Sequence, residues 1–374
     1  MGDMFFYGTL CHRPLLECVL GDEREGVQIS AARLPGYASY WVKSQSYPMI
    51  EPLAGGHAEG LLVRGLSERA IARLNFYEGG FSYCIEEVTV EYSGEFARAD
   101  VYFPQAEQSK GEPWCLEDWA KIWGPVTVIA AQEVMQDFGI RSAAEIAQRF
   151  GSIRSRAASR IRAQDAAPTT LRGAAVPSDV RLHKASRPYA DFFSVEEYEL
   201  THRRFAGGES AVLSRAGFVA TDAATLLPYD PVRDRVLLIE QFRVGPFARG
   251  DAQCWSLEAI AGRIDPGETP EEAARREAQE EAHLTIGALH PVFNYYPSPG
   301  ALSEFLYSYV AIADLPDDAA GLGGAVDEGE DIRAHVIGFE RLMALLDTGE
   351  VQNAPLIISA LWLARNRDRL RAGA

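Results

Sequence analysis

Cysteine is scarce and unpatterned: Cys11, Cys18, Cys84, Cys115 and Cys254 are scattered through the chain without a CxxC pair. An odd number at such spacing indicates neither a disulfide framework nor a cysteine zinc site, and it suits a reducing compartment. Long apolar runs are missing too. The longest, about Ala354 to Ala364, falls well short of the roughly 18 residues that a membrane span needs. The start MGDMFFYGTL has neither the basic region of a secretory leader nor the Ser or Thr of a myristoylation motif. The expectation is therefore a cytoplasmic protein with no membrane partner. Positive charge is in deficit, 36 Lys and Arg against 53 Asp and Glu, for a net charge of −17. That field repels polyanions, so nucleic acid is not an expected partner, and a small anionic substrate would need a metal ion or local arginines. What is present is ordinary for a globular chain: 47% hydrophobic and 24% charged residues exclude a disordered or low-complexity protein. At roughly 150 residues per domain, 374 residues predict two or three domains.

From Met4 to about Phe103, short apolar runs such as MFFYGTL, GYASYWV, YPMIEPLAGG, EEVTVEY and RADVYF are broken by turn residues and predict β-strands. One helix interrupts them at Ser67 to Tyr77, where apolar residues recur at helical spacing. Pro113 to about Ala163 is alanine-rich with a helical period, and QDAAPTTLRGAAVPS, Gln164 to Ser178, has the composition of a linker. Strand signals return in FFSVEEYELTHRRF, SAVLSRAGFVATDAATLLPYD and DRVLLIEQF, followed by a helix at Thr269 to Ala282. FLYSYVAIA and RAHVIGF then alternate with helices at Glu340 to Leu346 and at Ala354 to about Arg371. The interleaving predicts a mixed α/β second half. The expected organisation is a domain at 1–112, a helical extension at 113–163, a linker at 164–178 and a second domain at 179–374.

The segment AGRIDPGETPEEAARREAQEEA carries the strongest chemistry. Thr269 suits the N-cap, Pro270 the first helical position, and Glu272 completes a capping box. Residues i, i+3 and i+4 share a helix face, so Glu277, Glu280 and Glu281 project side by side. Three glutamates alone would more often be a solvated acidic face. The wider spacing of Gly262, Glu268, Arg276, Glu277, Glu280 and Glu281 is far more specific. Carboxylates so crowded repel one another, and a hard divalent cation, which takes oxygen ligands and bridges phosphates, relieves that repulsion.

This segment resembles the Nudix box, with Ala278 where an aliphatic residue is usual and His283 where a glycine would turn the chain out of the helix at positive φ. The flanks VLLIEQFR, NYYPSPGALSE, DEGEDIRAHV and GEVQNAPLIISALWL resemble the ADP-ribose pyrophosphatase branch, over about Val180 to Leu370. The resemblance implies an α/β/α sandwich with an extra N-terminal β-sheet, and Mg²⁺-dependent hydrolysis (Mn²⁺ as an alternative) of ADP-ribose or a related ADP-sugar to AMP and ribose 5-phosphate. It implies metal ligation by Glu277, Glu281, Glu330 and the Ala261 carbonyl, support of the metal cluster by Glu280, and Glu328 as the residue that activates water. Arg243 would clamp a phosphate, the turn Ser298-Pro299-Gly300 and Glu304 would lie against substrate, and Glu268 with Arg276 would be a structural ion pair. A homodimer through this half is also implied, by pairing of the strands between Val180 and Asp230 across a two-fold axis.

In the first half, FFYGTL places Gly8 and Thr9 at the end of a strand, where backbone N–H groups can hold an anion. With LPGY, YPMI, an AEG turn at Ala58 to Gly60, and YEGGFSY, it resembles the γ-glutamylcyclotransferase-like, or AIG2-like, fold, a small β-barrel. The resemblance implies Glu78 as general acid/base and Tyr7, Gly8, Thr9 and Leu10 as the substrate loop. The whole chain thus resembles bacterial fusions described as tellurite-resistance proteins, of α/β and α+β class, with a helical connector between barrel and sandwich. The alternative function is γ-glutamyl cyclotransfer as the main activity, with the second half a nucleotide sensor.

Overall fold

Contacts within the computed structural model divide the chain into two units, Met1–Ala166 and Ala167–Ala374. The described residues are 2–81, 83–106, 108–324 and 329–373. Among them, no helix is long and apolar enough to cross a membrane.

The first unit is a barrel with helices on one side. In chain order its elements are β1 (Gly2–Phe6), α1 (Arg13–Leu20), β2 (Gln28–Val42), β3 (Pro48–Leu66), α2 (Glu68–Glu78), β4 (Tyr83–Tyr92), β5 (Glu95–Pro104), β6 (Lys110–Pro113), α3 (Leu116–Ile122), α4 (Gly124–Gln136) and α5 (Ala143–Arg162). Strands run β3-β1-β5-β4-β2, and β2 pairs again with β3, which closes five strands into a ring; β6 adds to β2. Side chains alternate between the two faces of a strand. Accordingly Phe5 turns into the barrel with Leu34, Leu62, Val90 and Val101, while Met4 and Phe6 face the helices with Leu15, Leu16, Leu74 and Val134.

The segment expected as a helical extension belongs to this same core. Trp119 is wholly buried there, and its indole N–H donates to the Ser46 carbonyl at 2.8 Å. Arg156 on α5 and Glu133 on α4 form a buried ion pair, 1% and 3% exposed. Removing one partner of such a pair costs about 3–5 kcal/mol. Two local expectations are corrected. α1 is a helix that the short run RPLLECVL did not announce. Ala58 to Gly60 is no turn but the middle of β3, where a Cβ on Gly60 would stand 2.1 Å from the Phe6 carbonyl; the glycine serves close strand approach rather than chain reversal.

In the second unit, β7 (Val180–Ala190), β8 (Ser194–His202) and β9 (Leu213–Val219) form a separate three-stranded sheet. The rest runs β10 (Ala223–Asp230), β11 (Arg235–Phe242), α6 (Val244–Arg249), β12 (Trp255–Glu258), β13 (Ile260–Arg263), α7 (Pro270–Ala282), β14 (Leu289–Tyr295), β15 (Leu306–Ile312), β16 (Gly321–Gly323), β17 (Ile332–Gly338), α8 (Phe339–Thr348) and α9 (Ala354–Ala372). Its mixed sheet has the order β14-β15-β10-β11-β17-β16, with β12 on β11 and β13 on β10. Alternation again sorts the core. Leu226, Leu237 and Ile239 pack on Ala273, Ala274 and Ala278 of α7. Their neighbours Leu227, Val236 and Leu238 pack on the other face, against Leu342, Leu356 and Leu363 of α8 and α9. The result is an α/β/α sandwich.

Candidate functional site

Helix α7 is fixed at both ends. Thr269 Oγ1 accepts from Glu272 N at 3.2 Å while the Glu272 carboxylate accepts from Thr269 N at 2.8 Å, the capping box expected from sequence. At the far end His283 takes φ 53°, the left-handed conformation a glycine would adopt freely, and its N–H donates to Gln279 O. Arg276 then ties the helix to the preceding loop. Its Nε donates to Glu268 at 2.9 Å, Nη2 to the Arg263 carbonyl at 2.9 Å, and Nη1 to Glu277 at 2.7 Å and Glu280 at 2.9 Å.

The acidic face lies against β13. Glu281 is 1% exposed and accepts from the Ala261 N–H at 3.2 Å. A Cβ on Gly262 would stand 1.8 Å from Glu277 Oε1, so the bare Cα makes room for that carboxylate. Burial pushes Glu281 up to about 9, with the Glu277 charge adding and Glu330 contributing. Burial likewise pushes Glu277 up to about 7 despite Arg276, with Glu280 and Glu330 adding. The donors are thus all oxygen and several are mutually repelling, which is the chemistry a hard divalent ion satisfies. Among the described residues no three His, Cys, Asp or Glu side chains already enclose a metal-sized space. Glu277 accepts from Arg276 and Glu281 from the Ala261 N–H, and the donors are of the hard oxygen type that a divalent ion takes.

Arg243 stands beside this face. Burial opposes its charge, but the Glu258 carboxylate raises its pKa, and Glu281 and Glu330 add to the effect. Glu304, just before β15, is itself pushed up by burial, with Arg243 opposing and Asp222 adding. Arg243, Glu277, Glu281, Glu330 and Glu304 therefore share one electrostatic neighbourhood. Ser298 and Gly300 sit on the expected turn, with Ser298 O accepting from Leu302 N at 3.0 Å, and Phe218 N of β9 donates to Ala301 O at 2.7 Å. Nothing described links Ser298 or Gly300 to the carboxylates. Glu328 lies outside the described residues. Sequence reasoning missed Glu258, whose signal was only an acid in the strand WSLE.

The first unit holds a second candidate site. Tyr7, Gly8, Thr9, Leu10 and Glu78 line one cavity of about 50 Å³, together with Tyr47, Tyr83 and Tyr102. Burial alone pushes Glu78 up to about 7. Tyr7, Tyr77, Tyr83 and Tyr102 are raised as well, first by burial and then by the Glu78 charge. Tyr102 donates to Asn75 Oδ1 at 2.6 Å, which fixes its hydroxyl. Tyr102 and Asn75 lie outside the motifs read from sequence and join the site only through the closed barrel.

Comparison with known proteins matches one family within each unit. The family described as gamma-glutamyl cyclotransferase, AIG2-like, matches residues 4–121, and the NUDIX domain matches residues 220–358. ADP-ribose pyrophosphatase of Escherichia coli K12 is 39% identical over 194 residues, 52% of this chain and 92% of that protein. ADP-ribose pyrophosphatase of Haemophilus influenzae is 32% identical over 195 residues, 52% of this chain and 89% of its own length. A GDP-mannose pyrophosphatase of an Enterobacter species is 34% identical over 167 residues, 44% and 84% of the two chains.

Proposed function

The chain belongs, through its second half, to the Nudix hydrolases related to ADP-ribose pyrophosphatase, and we propose that this half hydrolyses ADP-ribose or a related ADP-sugar to AMP and, from ADP-ribose, ribose 5-phosphate. The observation that carries the reading is the mutually repelling pair of half-buried Glu277 and buried Glu281 beside bare Gly262, with Arg243 as the neighbouring cation. Glu277, Glu281, Glu330 and the Ala261 carbonyl would hold a divalent cation, Mg²⁺ in our reading and Mn²⁺ as an alternative, which when bound neutralises the pyrophosphate and stabilises the charge that develops on it. Arg243 binds a phosphate oxygen. Glu280 keeps Arg276, and through it Glu277, in place. Ser298, Gly300 and Glu304 border the substrate. Glu328 takes the proton of the attacking water as its oxygen bonds to phosphorus and the bridging P–O bond breaks.

The test is incubation of the full chain with ADP-ribose and Mg²⁺ and separation of the products. Appearance of AMP and ribose 5-phosphate in equal amounts supports the reading, and intact ADP-ribose at micromolar enzyme contradicts it. We further propose that two copies associate through this half, because the β7–β9 sheet leaves Val180, Leu182, Tyr189 and Phe192 exposed. A monomeric mass at micromolar concentration with full activity would contradict that. We read the protein as cytoplasmic because its five scattered cysteines, without CxxC spacing, suit a reducing compartment.

A second reading, for the first half, rests on Glu78 in its tyrosine-lined cavity. Here the substrate is a γ-glutamyl amine, held by the Tyr7-Gly8-Thr9-Leu10 loop. Its α-amine attacks the γ-carbonyl, the amide C–N bond breaks, and Glu78 passes the proton from the attacking nitrogen to the leaving amine, giving 5-oxoproline. A pKa of about 7 suits both halves of that transfer at neutral pH. Assay for 5-oxoproline from γ-glutamyl dipeptides decides it.

A further inference from the structure

Glu258 ends β12 and is only 5% exposed, yet it is an acid in a strand of the sandwich. Both its oxygens face one residue: Arg243 Nε donates to Oε1 at 3.0 Å and Nη2 to Oε2 at 2.7 Å. The backbone of Arg243 is pinned as well, its N–H donating to the Cys254 carbonyl at 2.8 Å. The Arg243 side chain nevertheless stays 42% exposed, and no protein acceptor is described for its Nη1.

A buried acid paired to a half-exposed arginine is poorly explained as a stabilising device, since burying the charge costs about as much as the pair returns. It is well explained as an anchor. An unanchored arginine here stands within the field of Glu281 and Glu330, and would fold onto the carboxylates that a cation needs. A bidentate carboxylate behind the guanidinium fixes its plane, uses two of its five N–H donors, and leaves the opposite edge free.

Building on the ADP-ribose reading, we infer that Glu258 is a positioning residue: it holds the Arg243 guanidinium so that its free Nη1 edge meets a phosphate oxygen of the substrate. Arg243 touches substrate and Glu258 acts through it. The effect falls on binding more than on the chemical step.

The test is a cycle of Glu258→Gln, Arg243→Ala and the double variant in the full chain. It reads kcat and KM for ADP-ribose and, separately, equilibrium binding of a methylene-bridged analogue that cannot be hydrolysed. Glu258→Gln should raise KM and the analogue Kd about ten-fold with a smaller change in kcat, and Glu258→Asp should recover part of the loss. The double variant should bind no more weakly than Arg243→Ala alone, because the anchor has nothing left to hold. Wild-type affinity in Glu258→Gln, or losses that multiply in the double variant, would overturn the inference while the ADP-ribose reading stands. If Glu258→Gln does not fold, Glu258→Asp takes its place in the same cycle, with a smaller rise in KM and Kd expected, the same absence of any added loss in the double variant, and wild-type affinity again overturning the inference. An unmutated protein that neither hydrolyses ADP-ribose nor binds the analogue removes the reading of function and this inference with it.

Discussion

Glu78 in the first unit and Glu281 in the second are both acids that hold their protons more tightly than exposed carboxyls do, up to about 7 and about 9, but for different reasons. Burial alone raises Glu78, and the cavity it lines is shared with Tyr7, Tyr47, Tyr83 and Tyr102 and, among the described residues, with no other acid. Burial raises Glu281 too, but Glu277 and Glu330 raise it further, and Arg243 opposes them. A solitary buried acid exchanges its proton near neutrality, which serves proton transfer. A set of carboxylates that raise one another is a set that a divalent cation completes. The company of a buried acid, rather than its burial, distinguishes the two chemistries.

The largest expected effect separates them. Glu78→Gln should lower 5-oxoproline formation by ~10²–10⁴-fold while AMP release from ADP-ribose stays within about two-fold. A parallel fall in both products would break the comparison, because the units would then act as one. A smaller effect is expected at Gly262, where the Cβ of Gly262→Ala would overlap the Glu277 carboxylate. That carboxylate is the far end of a flexible side chain, so the fold should survive with unchanged circular dichroism while AMP release falls about ten-fold. Unaltered turnover would show that Glu277 is free to serve from another position.

Stability against pH sharpens the comparison further. The folded pKa of Glu78 lies above its unfolded value of 4.5, at about 7. The native state therefore binds the proton more tightly, and the contribution of Glu78 to stability is fully present below pH 4.5, is lost as pH rises from there to about 7, and is level above it. Four of the six tryptophans, Trp41, Trp114, Trp119 and Trp123, lie in the first unit and Trp255 and Trp362 in the second, so melting of the first unit is followed by tryptophan fluorescence in a Trp255→Phe, Trp362→Phe background. Glu78→Gln should flatten the decline between pH 5 and 7; an unchanged slope would mean that Glu78 is ionised freely in the folded barrel. The smallest effect is at His283, held at φ 53°. His283→Gly should stabilise the second unit by less than about 1 kcal/mol, the relief of left-handed strain being partly offset by the freedom glycine has when unfolded.

Much of this was legible in the sequence where the signal is local. The capping box at Thr269 and Glu272, the left-handed exit at His283 and the Arg276–Glu268 pair all lie within one short segment whose spacing specifies them. Helix α1 was missed because its eight residues carry too few turns for a helical period to stand out from a short apolar strand. Ala58 to Gly60 was read as a turn because glycine marks both chain reversal and close approach, and only the Phe6 carbonyl behind Gly60 separates the two. An apolar helix face shows in the sequence, but what covers it does not, so the place of Trp119 beside Met4 and Phe6 had to come from the fold. Glu258 was invisible for a related reason: its meaning lies in Arg243, which a hairpin brings back to it.

The account stands or falls most directly on AMP release from ADP-ribose by the unmutated chain and by Glu281→Gln, both with Mg²⁺ and matched in circular dichroism. The neutral amide keeps the size of the side chain but cannot serve as a charged oxygen ligand, so turnover should fall by ~10²–10³-fold and should not return at high Mg²⁺. Near-normal turnover in Glu281→Gln at saturating Mg²⁺ would contradict the assignment of these carboxylates to a divalent cation.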